Sequence, residues 1–179
     1  EINKFPVVGR INNYATKKYD NYIGQKTDIW FNGANQNLKK RNSIPSEVVI
    51  LIPPEILQRK GEEIYHRIFK RLKLSKEEYS LVSIETMRQY EKQLGVIRPT
   101  TGTSSILWAL GNYKKVIIHG FDFFIDSKTH YNENIIIKWL IDWGINKKAG
   151  KHNMIAEKQY IDKLIRENKV TPLKENLKQ

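Results

Sequence analysis

Residues 98–122 hold four pieces in immediate succession: the turn Arg98-Pro99-Thr100-Thr101-Gly102, the apolar helix around Ile106-Leu107-Trp108-Ala109-Leu110, a tight loop, and the strand Val116 to Ile118, predicted to be fully buried. A short helix feeding a buried strand calls for a layered α/β arrangement. Thr100 and Thr101 are natural N-cap residues, and Gly102 lets the backbone approach a ligand closely. Packing of the apolar helix pins its N-terminus, where unpaired N–H groups and the positive dipole end would receive a carboxylate or phosphate. The strand ends at Gly120-Phe121-Asp122, on the carboxyl edge where open α/β sheets hold ligands. Ordinary helix capping explains the Thr-Thr-Gly pattern as well, and both readings stay open at this level.

The rest of the chain alternates in the same way. Apolar runs bounded by turn residues predict strands over residues 5–11, 27–31, 47–52 and 81–84, with a last one near Val170. Apolar residues at helical spacing predict helices over residues 62–72, 85–94 (capped by Gly95), 135–143 and 156–168. Strands alternating with helices imply a doubly wound, mostly parallel, Rossmann-like sheet. At 179 residues without repeats, low-complexity blocks or an obvious linker, a single domain over 1–179 is expected.

Thirty-one Lys and Arg against 19 Asp and Glu give a formal charge of +12, which favours acidic partners. The basic residues are scattered in pairs such as Lys17-Lys18, Lys114-Lys115 and Lys147-Lys148, without a basic stripe or a nucleic-acid-binding motif, so no nucleic-acid partner is expected. With no cysteine there are no disulfides, which fits a reducing compartment. No run approaches the ~20 apolar residues of a membrane span and no signal peptide is visible, so a cytoplasmic location is expected.

A P-loop, a G-x-G-x-x-G and a D-x-D pair are all missing. That leaves the histidines. His66 falls on a helix flank and reads as solvated, and His119 reads as a hydrogen-bonded core residue of the central strand. His130 lies in a polar loop past the carboxyl edge, and His152 precedes a helix with Glu157 five residues later. Two loop histidines on the ligand side of a sheet suit proton transfer and phosphate stabilisation near neutral pH.

These residues resemble a known family. Arg10-Ile11-Asn12-Asn13 followed by Gly24-Gln25-Lys26-Thr27-Asp28 is similar to the second half of the large sialylmotif of the sialyltransferases. Arg98 through Asp122 resembles the small sialylmotif, His130-Tyr131 the third motif, and His152 to Glu157 the very small motif H-x-x-x-x-E. Gly120-Phe121-Asp122-Phe123-Phe124 is similar to the G-I-D-F-Y of bacterial lipooligosaccharide sialyltransferases. Order and approximate spacing agree for all four motifs. The upstream Gly-Asn-Ser type loop is not in the sequence, and with it one expected donor-binding asparagine and one strand. Phe124 stands where the bacterial enzymes carry a phosphate-binding tyrosine, a place Tyr131 could fill. A Cys-free chain is closer to the bacterial branch than to the disulfide-bonded animal enzymes.

The resemblance implies a variant GT-A fold and inverting transfer of a sialic-acid-like sugar from a CMP-activated donor to a glycan or glycolipid hydroxyl, without a metal. It implies His152 as general base and His130 with Tyr131 at the departing phosphate. Thr100, Thr101 and Gly102 would hold the sugar carboxylate or nucleotide. Asn12 would bond the donor, and the stretch Gly120 to Phe123, with Asp122, would line the cytidine pocket. Glu157 would orient His152 or cap the helix that follows it. Basic residues would favour peripheral association with the inner membrane of a bacterium. Other readings are a transferase for another CMP-sugar such as Kdo, and a non-catalytic nucleotide- or nucleic-acid-binding domain.

Overall fold

The computed structural model describes residues 1–17, 19–41, 43–121 and 153–177. The chain divides into two compact units, Glu1–Gln89 and Tyr90–Gln179. In the first, strands β1 (Gly9–Ile11), β2 (Ile29–Asn32), β3 (Glu47–Ile50) and β4 (Ser80–Leu81) lie side by side in chain order, and every pairing is parallel. The register sets Arg10 beside Trp30 and Trp30 beside Val48, so these three share one face. Both faces of the central strands are covered: Ile29, Trp30, Phe31, Asn32, Val48, Val49 and Ile50 are all buried. That double burial is why these strands read as unbroken apolar runs rather than alternation.

A short helix, α1 (Asp20–Ile23), lies between β1 and β2, and the long helix α2 (Pro54–Leu72) connects β3 to β4. The sequence pattern places the start of α2 at residue 62, yet the helix begins eight residues earlier. Pro53-Pro54 does end the strand, but Pro54 also occupies the first helical turn, where its missing N–H is not needed and its fixed φ suits the helix. The carbonyl of Pro53 accepts from the N–H groups of Ile56 and Leu57, both at 3.0 Å. A kink at Lys60 (φ −135°) separates this first segment from the amphipathic one. Past the kink, Ile64, Ile68 and Leu72 are buried four residues apart and join the core of Trp30, Val48, Ile50 and Ile52. Helix α3 (Ile84–Leu94) runs across the boundary of the two units and is closed by Gly95 in the left-handed conformation (φ 63°), as its composition predicts.

The second unit contains α4 (Thr101–Asn112), β5 (Val116–Ile118), α5 (Met154–Arg166), β6 (Val170–Pro172) and α6 (Leu173–Asn176). Strands β5 and β6 pair in parallel, with Val116 opposite Val170. The class is therefore α/β with parallel sheets flanked by helices, as a Rossmann-like glycosyltransferase fold requires. Two expectations fail locally. Among the described residues β5 has a single neighbour strand, so only Val116 is buried while Ile117 and Ile118 stay partly exposed. His119 is not a core histidine: it lies one residue past β5 and is exposed, because Gly120 (φ 75°) turns the chain out of the strand. The helix predicted over 135–143 lies outside the described residues. Among those described, no helix is long and apolar enough to cross a membrane.

Packing of α2 on the sheet has a direct test. Ile68 is 0% exposed, so Ile68→Ala should lower the unfolding free energy by about 2–5 kcal/mol in urea titrations. The neighbouring Phe69 is 58% exposed, and Phe69→Ala should cost less than about 1 kcal/mol. Equal costs at the two positions would contradict this packing.

Candidate functional site

Helix α4 begins where the sequence places it. Thr100 is the N-cap, in extended conformation (φ −64°, ψ 154°), and its Oγ1 accepts from the N–H of Thr103 at 3.2 Å. Its carbonyl accepts from Ser104 N at 2.9 Å. Thr101 is the first helical residue rather than a cap, and it and Gly102 are partly exposed. Their backbone N–H groups are first-turn donors without a partner inside the helix. A Cβ placed on Gly102 would sit 3.2 Å from the Phe121 ring, so glycine here also makes room for an aromatic side chain of the chain itself.

A carboxylate already stands at this corner. Glu157, in the first turn of α5, is 0% exposed. Both of its oxygens lie 3.1 Å from Thr100 N, and Thr100 Oγ1 donates to Oε2 at 2.7 Å. Because the single proton of Thr100 Oγ1 goes to the carboxylate, the 3.1 Å contact between Thr100 Oγ1 and Thr103 Oγ1 has Thr103 as donor. Among the described residues no basic side chain pairs with Glu157. A buried charge without a counter-ion is costly, and here the charge-assisted bonds and the positive end of α4 offset that cost. The anion-receptive corner foreseen from sequence is thus partly filled from within, by a residue 57 positions away. Thr100 spends its N–H and hydroxyl on Glu157, and the N–H groups of Thr101 and Gly102 stay outside that set of bonds.

Neither sequence role for Glu157 describes this contact, which caps α4 rather than α5. Helix α5 has its own cap, Asn153, whose Oδ1 accepts from Ala156 N at 3.1 Å. One signal was available: Glu157 lies four residues before Ile161 and seven before Leu164, both buried, so it belongs to the apolar stripe of its helix. A carboxylate there must find internal partners.

The other matched stretch lies within residues 1–89. The Arg10 guanidinium brackets the loop before β2: Nε donates to Lys26 O and Thr27 Oγ1, both at 3.1 Å. Its Nη2 donates to Ile23 O at 2.8 Å and Gly24 O at 3.0 Å. Lys26 Nζ donates to Phe5 O and Pro6 O, each at 2.7 Å, and Asp28 Oδ2 accepts from Val8 N at 2.7 Å. The charged residues of the Gly24–Asp28 element therefore build the loop. Asn12, at the carboxyl end of β1, takes a positive φ of 53°. Its N–H donates to Phe31 O at 2.8 Å, its carbonyl accepts from Trp30 Nε1 at 2.6 Å, and its Oδ1 accepts from Gly33 N at 3.3 Å. The Asn12 Nδ2 donor is unspent among the described residues.

Gly120 (φ 75°) is exposed, and a Cβ there would meet no other atom, so its backbone angle alone selects glycine. Asp122, Phe123, His130, Tyr131 and His152 lie outside the described residues. His66 is exposed on α2, as expected.

No curated protein and no solved structure matches the chain. The family model described as glycosyltransferase family 29 (sialyltransferase) matches residues 1–169. That span takes in the Arg10–Asp28 bracket, the α4 corner and the His152–Glu157 stretch alike: the chain belongs to glycosyltransferase family 29, the sialyltransferases, whose members use a CMP-sugar donor and a glycan acceptor.

Proposed function

We propose that this chain moves a sialic-acid-like sugar from its CMP-activated donor to a hydroxyl of a glycan or glycolipid, with inversion and without a metal. Supporting the reading most strongly is the set of hydrogen bonds between Thr100 and Glu157, which ties the small-motif helix to the very small motif. Two stretches far apart in sequence become one piece of architecture, and the stretch that carries Glu157 also carries His152.

In the proposed step, His152 accepts the proton of the acceptor hydroxyl as its oxygen bonds to the anomeric carbon. The bond from that carbon to the CMP oxygen breaks through an oxocarbenium-like transition state, and the electron pair leaves with CMP. His130 and Tyr131 meet the charge that develops on the departing phosphate. The free N–H groups of Thr101 and Gly102 receive the sugar carboxylate. Asn12 offers Nδ2 to the donor, and Gly120, Asp122 and Phe123 line the cytidine side. Glu157 is a positioning residue: by fixing Thr100 it sets the direction of the two first-turn donors. The excess of basic residues supports peripheral attachment to an anionic inner-membrane surface on the cytoplasmic side, where a lipid-linked acceptor would lie.

Donor hydrolysis and transfer should be measured with a panel of CMP-sugars, CMP-sialic acid and CMP-Kdo among them. The expected result is release of CMP from the sialic acid donor above all others; preference for CMP-Kdo, or CMP binding with no turnover, would overturn the assignment. His152→Ala should lower turnover by about 10²–10⁴-fold while leaving CMP affinity in place, checked by calorimetry beside the rate assay. Near-normal turnover by a folded His152→Ala protein would remove the base from this position.

A further inference from the structure

We propose that Arg41 and Arg10, gathered around Tyr14, form a binding site for an oxyanion, a carboxylate or a phosphate group. The Arg41 Cζ lies 3.8 Å from the centre of the Tyr14 ring and 4.7 Å from that of Trp30. Tyr14 packs edge-on against Trp30, with ring centres 6.4 Å apart at 80°, and Arg10 Cζ lies 5.8 Å from the same tyrosine ring. A guanidinium held over aromatic rings by cation–π attraction can still offer its remaining N–H groups to a carboxylate or phosphate in a two-pronged geometry.

The donors are there to be used. Arg41 spends one Nη2 donor on the carbonyl of Tyr14, at 2.6 Å, and nothing else among the described residues takes its Nε or Nη1. Arg10 commits Nε and Nη2 to the loop over residues 23–27, and its Nη1 is unspent. Among the described residues neither arginine pairs with a carboxylate. Burial lowers both guanidiniums from their ordinary pKa, with Tyr14 opposing it in part, although arginine stays protonated throughout. Two half-buried positive charges on one tyrosine, with no carboxylate partner among the described residues, favour an anion from outside.

The site is also held in shape before any ligand arrives. Asn13 Nδ2 donates to Asn37 O at 2.8 Å and its Oδ1 accepts from Lys39 N at 3.1 Å, which pins the segment leading to Arg41 beside Tyr14. Leu38 is buried, and Trp30, the floor of the stack, is 0% exposed. A fork fixed on a rigid aromatic base loses little freedom on binding.

The test uses the full chain and three probes: inorganic phosphate, CMP and free sialic acid. Nitrogen–proton NMR follows the Arg41 Nε and Trp30 Nε1 signals, with ionic strength held constant. Saturable shifts at both, with at least a tenfold loss of affinity in Arg41→Gln and an intermediate loss in Arg41→Lys, are expected. The probe bound best identifies the source: phosphate and CMP alike for a phosphoryl group, sialic acid for a carboxylate. No saturable shift with any probe to about 10 mM would overturn the site, as would equal affinity in Arg41→Gln. Should Arg41→Gln fail to fold, the wild-type titration decides alone. The outcome is independent of donor turnover, which the CMP-sugar panel measures on its own.

Discussion

Glu157 sits wholly out of water and, among the described residues, bonds to Thr100 alone, and much of the second unit follows from that. An isolated buried carboxylate would cost many times the stability of a small domain, so its bonds must hold whenever the protein is folded. They fix the N-cap of α4 and the first turn of α5 to one another. Thr100 in turn serves two masters, giving protons to the carboxylate and accepting from Thr103 inside its own helix. The first-turn donors of α4 then point from a corner that cannot drift.

In the first unit the constraint is apolar. Central strands β2 and β3 are buried on both faces, and α2 closes one of them with Ile64, Ile68 and Leu72. Polar motif residues at the sheet edge work as scaffolding: Arg10 gathers carbonyls from the loop before β2, while Lys26 and Asp28 secure the segment ahead of β1. Asn12 stands at the same edge with a positive φ, and among the described residues its Nδ2 donor is unspent. The charged residues of this motif thus shape a loop.

How far the sequence disclosed this varies with the range of the interaction. Local signals were readable: Thr100 as N-cap, Gly95 closing α3, apolar runs for β2 and β3, and parallel α/β order from the alternation. Prolines misled over α2, because one pair both ends a strand and starts a helix, and the kink at Lys60 hid the first segment from the periodicity. His119 misled because three apolar neighbours suggest a longer strand than Gly120 allows. Long-range bonds were out of reach. Nothing near Glu157 names Thr100, and nothing near Arg41 names Tyr14, although the place of Glu157 on an apolar stripe announced that some partner must exist.

A double-mutant cycle between Glu157 and Thr100 tests this coupling at its source. Unfolding free energies of the full chain would be compared for wild type, Glu157→Gln, Thr100→Val and the double variant. The account predicts that the two substitutions together cost less than the sum of their separate effects, by about 1–3 kcal/mol, as for a charge-assisted bond lost once rather than twice. Additivity within about 0.5 kcal/mol would mean the two residues do not hold each other, and would contradict the account.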